Sequence, residues 1–117
     1  MELLPNDVSR HLPPIAAPGQ RDYEAIARLH FLLPWSKWAW FASEYCPELE
    51  LFWGAIVGPQ RRIFGYFALD ELNSIRGPGG HRVERDIFWT ARALKDCLTA
   101  STEDVEGNTR ITEVVPP

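Results

Sequence analysis

Lysine is scarce, with two against ten arginines, and cysteine and methionine are scarcer still, with two and one. No apolar run approaches the ~20 residues that a membrane helix requires. The opening Met1-Glu2-Leu3-Leu4-Pro5-Asn6-Asp7 lacks the basic and apolar regions of a signal peptide. The expectation is a soluble, cytoplasmic protein with no membrane partner. Cys46 and Cys97 stand 51 residues apart with no flanking Cys or His at ligand spacing, so neither a zinc site nor a redox pair is expected. Two buried structural thiols are expected instead. His11, His30 and His81 are equally scattered, and no motif calls for a cofactor. The arginine excess suits interface contacts, but a GC-rich coding genome produces the same bias.

Positive charge in a stripe is also missing. The net charge is −4, of which residues 101–117 carry −3 through Glu103, Asp104, Glu106 and Glu113 against Arg110. This is not the electrostatic footprint of a nucleic-acid-binding protein.

Aromatics, by contrast, are concentrated. Eleven of the fourteen fall between Phe31 and Phe67, among them Trp35, Trp38, Trp40 and Trp53. So much ring surface builds either an aromatic core or an interface. Core packing is expected for most of the rings, and Trp35, just after Pro34 at the head of a strand, is the one most expected at the surface.

At 117 residues the chain is one domain. Residues 1–22, broken by Pro5, Pro13, Pro14 and Pro18, read as a leader packed over it, with one short helix capped by Asn6 or Asp7 and running to about His11. Residues 23–100 form the domain, and 101–117 an acidic, disordered tail.

Ala25–Leu33, Lys37–Tyr45, Leu51–Val57 and Ile63–Phe67 read as strands. The connections are short enough for a meander of consecutive hairpins. Trp38, Trp40 and Ala42 alternate with Ala39 and Phe41. Several strands are apolar on both faces, so one side must be covered by helices or by another molecule. Leu69, Leu72 and Ile75 mark a short helix over Leu69–Arg76. Val83–Trp89 alternates as a further strand, and Thr90 is placed to cap a helix from Ala91 to about Leu98.

Two stretches invite chemistry. Glu84 and Asp86, two apart on a strand, point to one face and suit a metal or acid–base work; the structural alternative has them neutralising arginines such as Arg76 or Arg28. Gly77-Pro78-Gly79-Gly80 fits no phosphate loop, since Pro78 lacks the N–H such loops use and the order is helix–loop–strand.

The block Gly65-Tyr66-Phe67-Ala68-Leu69-Asp70-Glu71-Leu72, continuing through Ile75-Arg76-Gly77-Pro78-Gly79-Gly80 to Val83-Glu84-Arg85-Asp86, resembles a small bacterial domain of unknown function catalogued as number 2958. Trp40 to Tyr45, Leu51 to Gly54 and Leu3-Leu4-Pro5 are similar to it as well. The likeness spans about residues 3–98. It implies a gene carried on plasmids, integrative elements or phages, in a bacterial cytoplasm, with no assigned reaction. Glu44, Gly65, Tyr66, Glu71, Arg76, Glu84, Arg85 and Asp86 are motif residues without a known role. Ala68 stands where the family often has Ser, which weakens a helix cap there.

The sequence therefore predicts an α+β fold with an antiparallel sheet of about five strands, a short helix near 69–76 and a C-terminal helix near 91–98. The functional expectation is a small, non-enzymatic accessory protein of a mobile element that binds another protein, in its sharpest form an inhibitor of a host defence complex by antirestriction or anti-CRISPR action. Its contact residues would be Trp35, Trp38, Trp40, Arg61 and Arg62. The alternatives are a metal-dependent enzyme using Glu44, Glu84 and Asp86 on nucleic acid, and a single-strand binder stacking bases on Trp38, Trp40, Trp53 and Tyr66.

Overall fold

A computed structural model describes residues 2–15 and 25–100, with side chains to Cys97. The expectations for the leader beyond Ile15 and for the acidic tail lie outside the described residues. The elements in chain order are α1 (Asn6–Ser9), β1 (Ile26–Ala27), β2 (Leu29–Leu32), β3 (Ala39–Cys46), β4 (Leu51–Gly58), β5 (Arg61–Ala68), α2 (Leu69–Ser74), a 3-10 turn (Pro78–Gly80), β6 (Glu84–Arg85), β7 (Arg92–Ala93) and α3 (Leu94–Ala100).

The meander is present. β2 to β5 pair consecutively and antiparallel, and β6 returns to the far side of β2, giving the order β5-β4-β3-β2-β6. A second, two-stranded ribbon joins β1 to β7. The fold is α+β as expected.

Turn chemistry sets the hairpins. Pro34 and Pro59 fix φ near the value that the first central residue of a turn needs. The residues after them, Trp35 and Gln60, adopt the left-handed region at φ 63° and 60°. Between Pro47 and Glu50 the chain closes with the Glu50 N–H on the Pro47 carbonyl at 3.3 Å.

Both faces of the sheet are apolar because both are covered. Over one face lie Leu3, Leu4 and Val8 from the N-terminal segment, Leu72 from α2 and Val83, packed on Phe31, Trp40, Tyr45, Phe52 and Phe67. Over the other lie Ala27 from β1 and Leu94 and Cys97 from α3, packed on Phe41, Trp53, Ala55, Val57 and Phe64. No second molecule is needed to explain the two-sided pattern.

A bulge in β3 serves this arrangement. The register slips between Ala42 and Glu44, leaving Ser43 as the extra residue. Without the slip, Tyr45 would face the wrong side, because a one-residue shift exchanges every side chain between faces.

Several local expectations are corrected. The strand over Ala25–Leu33 is two strands broken at Arg28, since Ile26 and Ala27 leave the sheet to pair with Ala93 and Arg92. The strand over Val83–Trp89 shrinks to Glu84–Arg85, because Asp86 opens a turn. Thr90 caps nothing: Arg92 and Ala93 are spent on the ribbon, and the helix starts at Leu94. At the N-terminus, Pro5 precedes α1 and no side chain caps it. The cysteines also differ from each other: Cys97 is buried, but Cys46 is only half-buried. Burial pushes the Cys97 thiol up to about 11, which makes it inert at neutral pH.

The helix after β5 ends earlier than its periodicity suggests, at Ser74, with Arg76 folding back to donate to the Asn73 and Ile75 carbonyls at 2.9 Å each. At its other end the Glu71 carboxylate accepts the Ala68 N–H at 2.8 Å. Ala68 has no hydroxyl to return the bond, so this cap is half of the reciprocal pair that Ser would complete.

Candidate functional site

Of the five residues expected to form a protein contact, only two lie on the surface. Trp40 is 6% exposed and belongs to the core, and Arg62 is buried on the opposite face. Trp38 is half-buried, stacked on Trp40 with centroids 6.2 Å apart. Their positions follow from alternation: Trp38 and Trp40 share the face that the N-terminal segment and α2 cover. Trp35 and Arg61 are exposed.

Trp35 is 79% exposed, as its place after Pro34 suggests. Its turn is closed by the Leu33 N–H on the Trp38 carbonyl at 3.1 Å. The Ser36 hydroxyl adds a 2.7 Å bond to the Leu33 carbonyl and accepts the Trp38 N–H at 3.0 Å. This network holds a bulky residue in the left-handed region, where glycine is favoured. The Trp35 ring leans on His81, with centroids 6.3 Å apart.

The sequence missed a second exposed group, Ile87 and Phe88, at 63% and 87% exposed. Reading them as alternating strand residues hid the turn that pushes them outward. Asp86 makes that turn. Its Oδ1 accepts the Phe88 N–H at 3.0 Å, and its own N–H reaches the His30 carbonyl at 2.8 Å. Its Oδ2 lies 3.0 Å from His30 Nδ1. The His30 ring is stacked on Phe41 at 4.7 Å and tilted against Trp89 at 5.0 Å. Trp89 donates its indole N–H to the Ala27 carbonyl, and Arg92 covers its ring at 4.2 Å.

This cluster locks β6 and the following turn to β2, so Asp86 has a structural partner, and that partner is His30 rather than Arg76 or Arg28. Burial pushes the Asp86 carboxyl up. The bonds from His30 and the Phe88 N–H, with the nearby charges of His30 and Arg92, outweigh burial and leave it below the ordinary carboxylate value.

A lowered carboxylate stabilises the fold above its unfolded-state value, ~3.9, and loses that contribution as the pH falls through the folded one. Asp86→Asn keeps an acceptor for the Phe88 N–H but removes the charge. Its urea midpoint is expected below that of the wild type at neutral pH, with the gap closing below about pH 4. A gap independent of pH would show that the charge contributes nothing.

The remaining motif residues are dispersed. Glu44 is buried on β3 opposite Trp53, and Tyr66, on β5, is half-exposed on the other side of Trp53. Gly65, on the edge strand β5, pairs with Gly54; Glu71 and Arg76 cap α2, and Arg85 is half-buried opposite Phe31. Glu84 is exposed opposite Leu32. Glu44, Glu84 and Asp86 do not converge: among the described residues no three His, Cys, Asp or Glu side chains come together to hold a metal. A base-stacking platform is not formed either, since Trp40 and Trp53 are core. No helix among the described residues is long and apolar enough to cross a membrane.

No curated protein and no solved structure matches the chain. One family model, described as "Protein of unknown function (DUF2958)", matches residues 5–105 and so takes in the whole sheet, all three helices and the Glu84-Arg85-Asp86 turn. The chain belongs to that family, DUF2958.

Proposed function

We propose that this protein works by binding another protein, with Trp35 as the anchor of the contact. The observation that carries the reading is the combination of exposure and backbone conformation at Trp35. A left-handed conformation costs a non-glycine residue about 1–2 kcal/mol, and an exposed indole contributes little packing to offset it. Outliers of this kind persist where the surroundings over-determine them and cluster at functional positions. Tryptophan is also the residue most enriched at interface hot spots. Arg61, Ile87 and Phe88 are further exposed candidates. In its finer form the partner is a host defence complex and the setting a plasmid or phage; the support is the company kept by the domain that the motifs resemble.

Trp35→Gly separates contact from fold. The substitution relieves the left-handed strain, so the variant is expected to be more stable than the wild type by about 1 kcal/mol. The same variant should lose at least about 2 kcal/mol of binding, or roughly thirtyfold. The measurement is affinity capture from nuclease-treated bacterial lysate with both forms of the full chain. A stoichiometric protein retained by the wild type and lost by the variant supports the reading. Equal retention by both, or recovery of no protein, overturns it.

A further inference from the structure

The outer strand on one side of the sheet is β5, whose one strand neighbour among the described residues is β4. Just past its end, the Leu69 N–H reaches the Glu50 carbonyl before β4 at 2.9 Å, whereas the Ala68 N–H turns the other way to Glu71. Antiparallel pairing alternates these two directions, so every second residue from Arg62 to Ala68 aims its backbone groups off the sheet. Edges of this kind are usually blunted by proline, lysine or a bulge. Arg61–Ala68 contains no proline and no lysine, and it pairs with β4 without a slip in register.

Charge along this edge is asymmetric. Arg61 and Arg62 stand at its start, and Asp70 and Glu71 follow its end in the first turn of α2. Arg61 and Asp70 are both exposed, and neither side chain makes a hydrogen bond or ion pair among the described residues. Arg62 is 9% exposed, its Nε is buried with no hydrogen-bond partner, and no carboxylate pairs with its guanidinium among the described residues. A buried cation without a counter-charge is costly. One end of the strand thus lacks the anions that the other end holds.

We propose that β5 pairs antiparallel with β5 of a second copy of this chain, joining the two sheets across a two-fold axis. Antiparallel self-pairing is the arrangement the charges favour, because it carries Arg61 and Arg62 of each copy to the partner's Asp70. A register centred on Gly65 matches the outward backbone groups of both strands and sets Arg62 opposite the partner's Ala68. That alanine is small enough to leave the guanidinium a path to the carboxylate beyond it. Gly65 meets its own counterpart at the axis, at a position where a Cβ would touch nothing of its own chain within 4 Å. Such an interface is isologous, so each contact occurs twice. Trp35 lies in the turn between β2 and β3, with β3 and β4 separating β2 from β5. The inference is therefore independent of the reading of Trp35 as a contact residue.

The test is sedimentation equilibrium of the full chain from about 1 µM to about 1 mM, a range that spans weak and stable association. The wild type is expected to rise from 13.4 kDa towards twice that mass. Arg61→Glu sets like charges together twice across the axis and should weaken the dimer at least about tenfold. Adding Asp70→Arg should restore it. Both positions are exposed, so neither change disturbs the core. Arg62→Met should also weaken the dimer, while leaving the urea midpoint of the dilute monomer unchanged or raised. Gly65→Cys, in a Cys46→Ser background, should form an intermolecular disulfide under mild oxidation. A mass of 13.4 kDa at every concentration, a dimer indifferent to Arg61→Glu or not restored by the double change, or no cross-link at residue 65 each overturns the proposal. Tighter association of Arg62→Met overturns it too, since Arg62 would then be a guard that keeps other strands off the edge.

Discussion

Gly54→Ala is expected to lower stability by about 3–5 kcal/mol. That is a large share of the roughly 5–15 kcal/mol that holds a domain of this size together. Gly54 lies in the middle of β4, opposite Ala42 where the β3 bulge begins. A Cβ there would stand 1.8 Å from the Phe41 carbonyl oxygen and 3.1 Å from the Ala42 Cα. Both are backbone atoms of a buried strand and cannot swing aside as a side-chain tip would, so the two central strands must separate or the bulge must be lost. Losing the bulge would turn Tyr45 away from its core.

Its cross-strand neighbour provides the control. Gly65 pairs directly with Gly54, yet a Cβ at Gly65 would meet nothing within 4 Å. Gly65→Ala is expected to be neutral or stabilising by up to about 1 kcal/mol, since alanine has less backbone freedom to lose. Urea denaturation of the two variants measures the contrast. Equal effects would mean that the close approach of β3 to β4 is not maintained in solution.

Phe52→Ala should cost about 3–5 kcal/mol, the range for truncating a fully buried aromatic. Phe52 is wholly inaccessible and is the hub of its cluster, with ring centroids 5.4 Å from Phe31, 4.9 Å from Tyr45 and 5.2 Å from Phe67. The cavity would lie among rings carried on β2, β3 and β5, where backbone pairing limits collapse. Phe88→Ala, at the tip of the Asp86 turn, should change stability by no more than about 0.5 kcal/mol. Thermal unfolding of the pair distinguishes core from surface rings. A large loss for Phe88→Ala would place that ring against structure rather than solvent.

Much of the sheet was legible because its signals are local. Proline at the three turns and apolar alternation in β3 report on residues within a few positions of each other, and from them the meander follows. The exposure of Trp35 was legible in the same way, because Pro34 ends the strand before it, but its place in a turn, rather than at the head of a strand, was not. The segments read wrongly are those whose conformation is settled by distant partners. Ile26 and Ala27 look like a continuation of β2 until Arg92 and Ala93 pair with them, and that pairing also delays α3 to Leu94. Asp86 looks like a strand residue with a free carboxylate until His30, far away in the chain, takes it up.

The candidate site divides along the same line. Sequence by itself determined the fold class, the hairpin order, the family motif and the surface position of one tryptophan, since each depends on composition, spacing or a single proline. Tertiary structure alone decided which aromatics are core, because Trp38, Trp40 and Trp53 acquire a covered face only when Leu3, α2 and α3 close over the sheet. It alone brought Leu3, Leu72 and Val83 together in one buried cluster. Burial and convergence are properties of contacts between residues remote in the chain, and no local periodicity encodes which remote residue arrives.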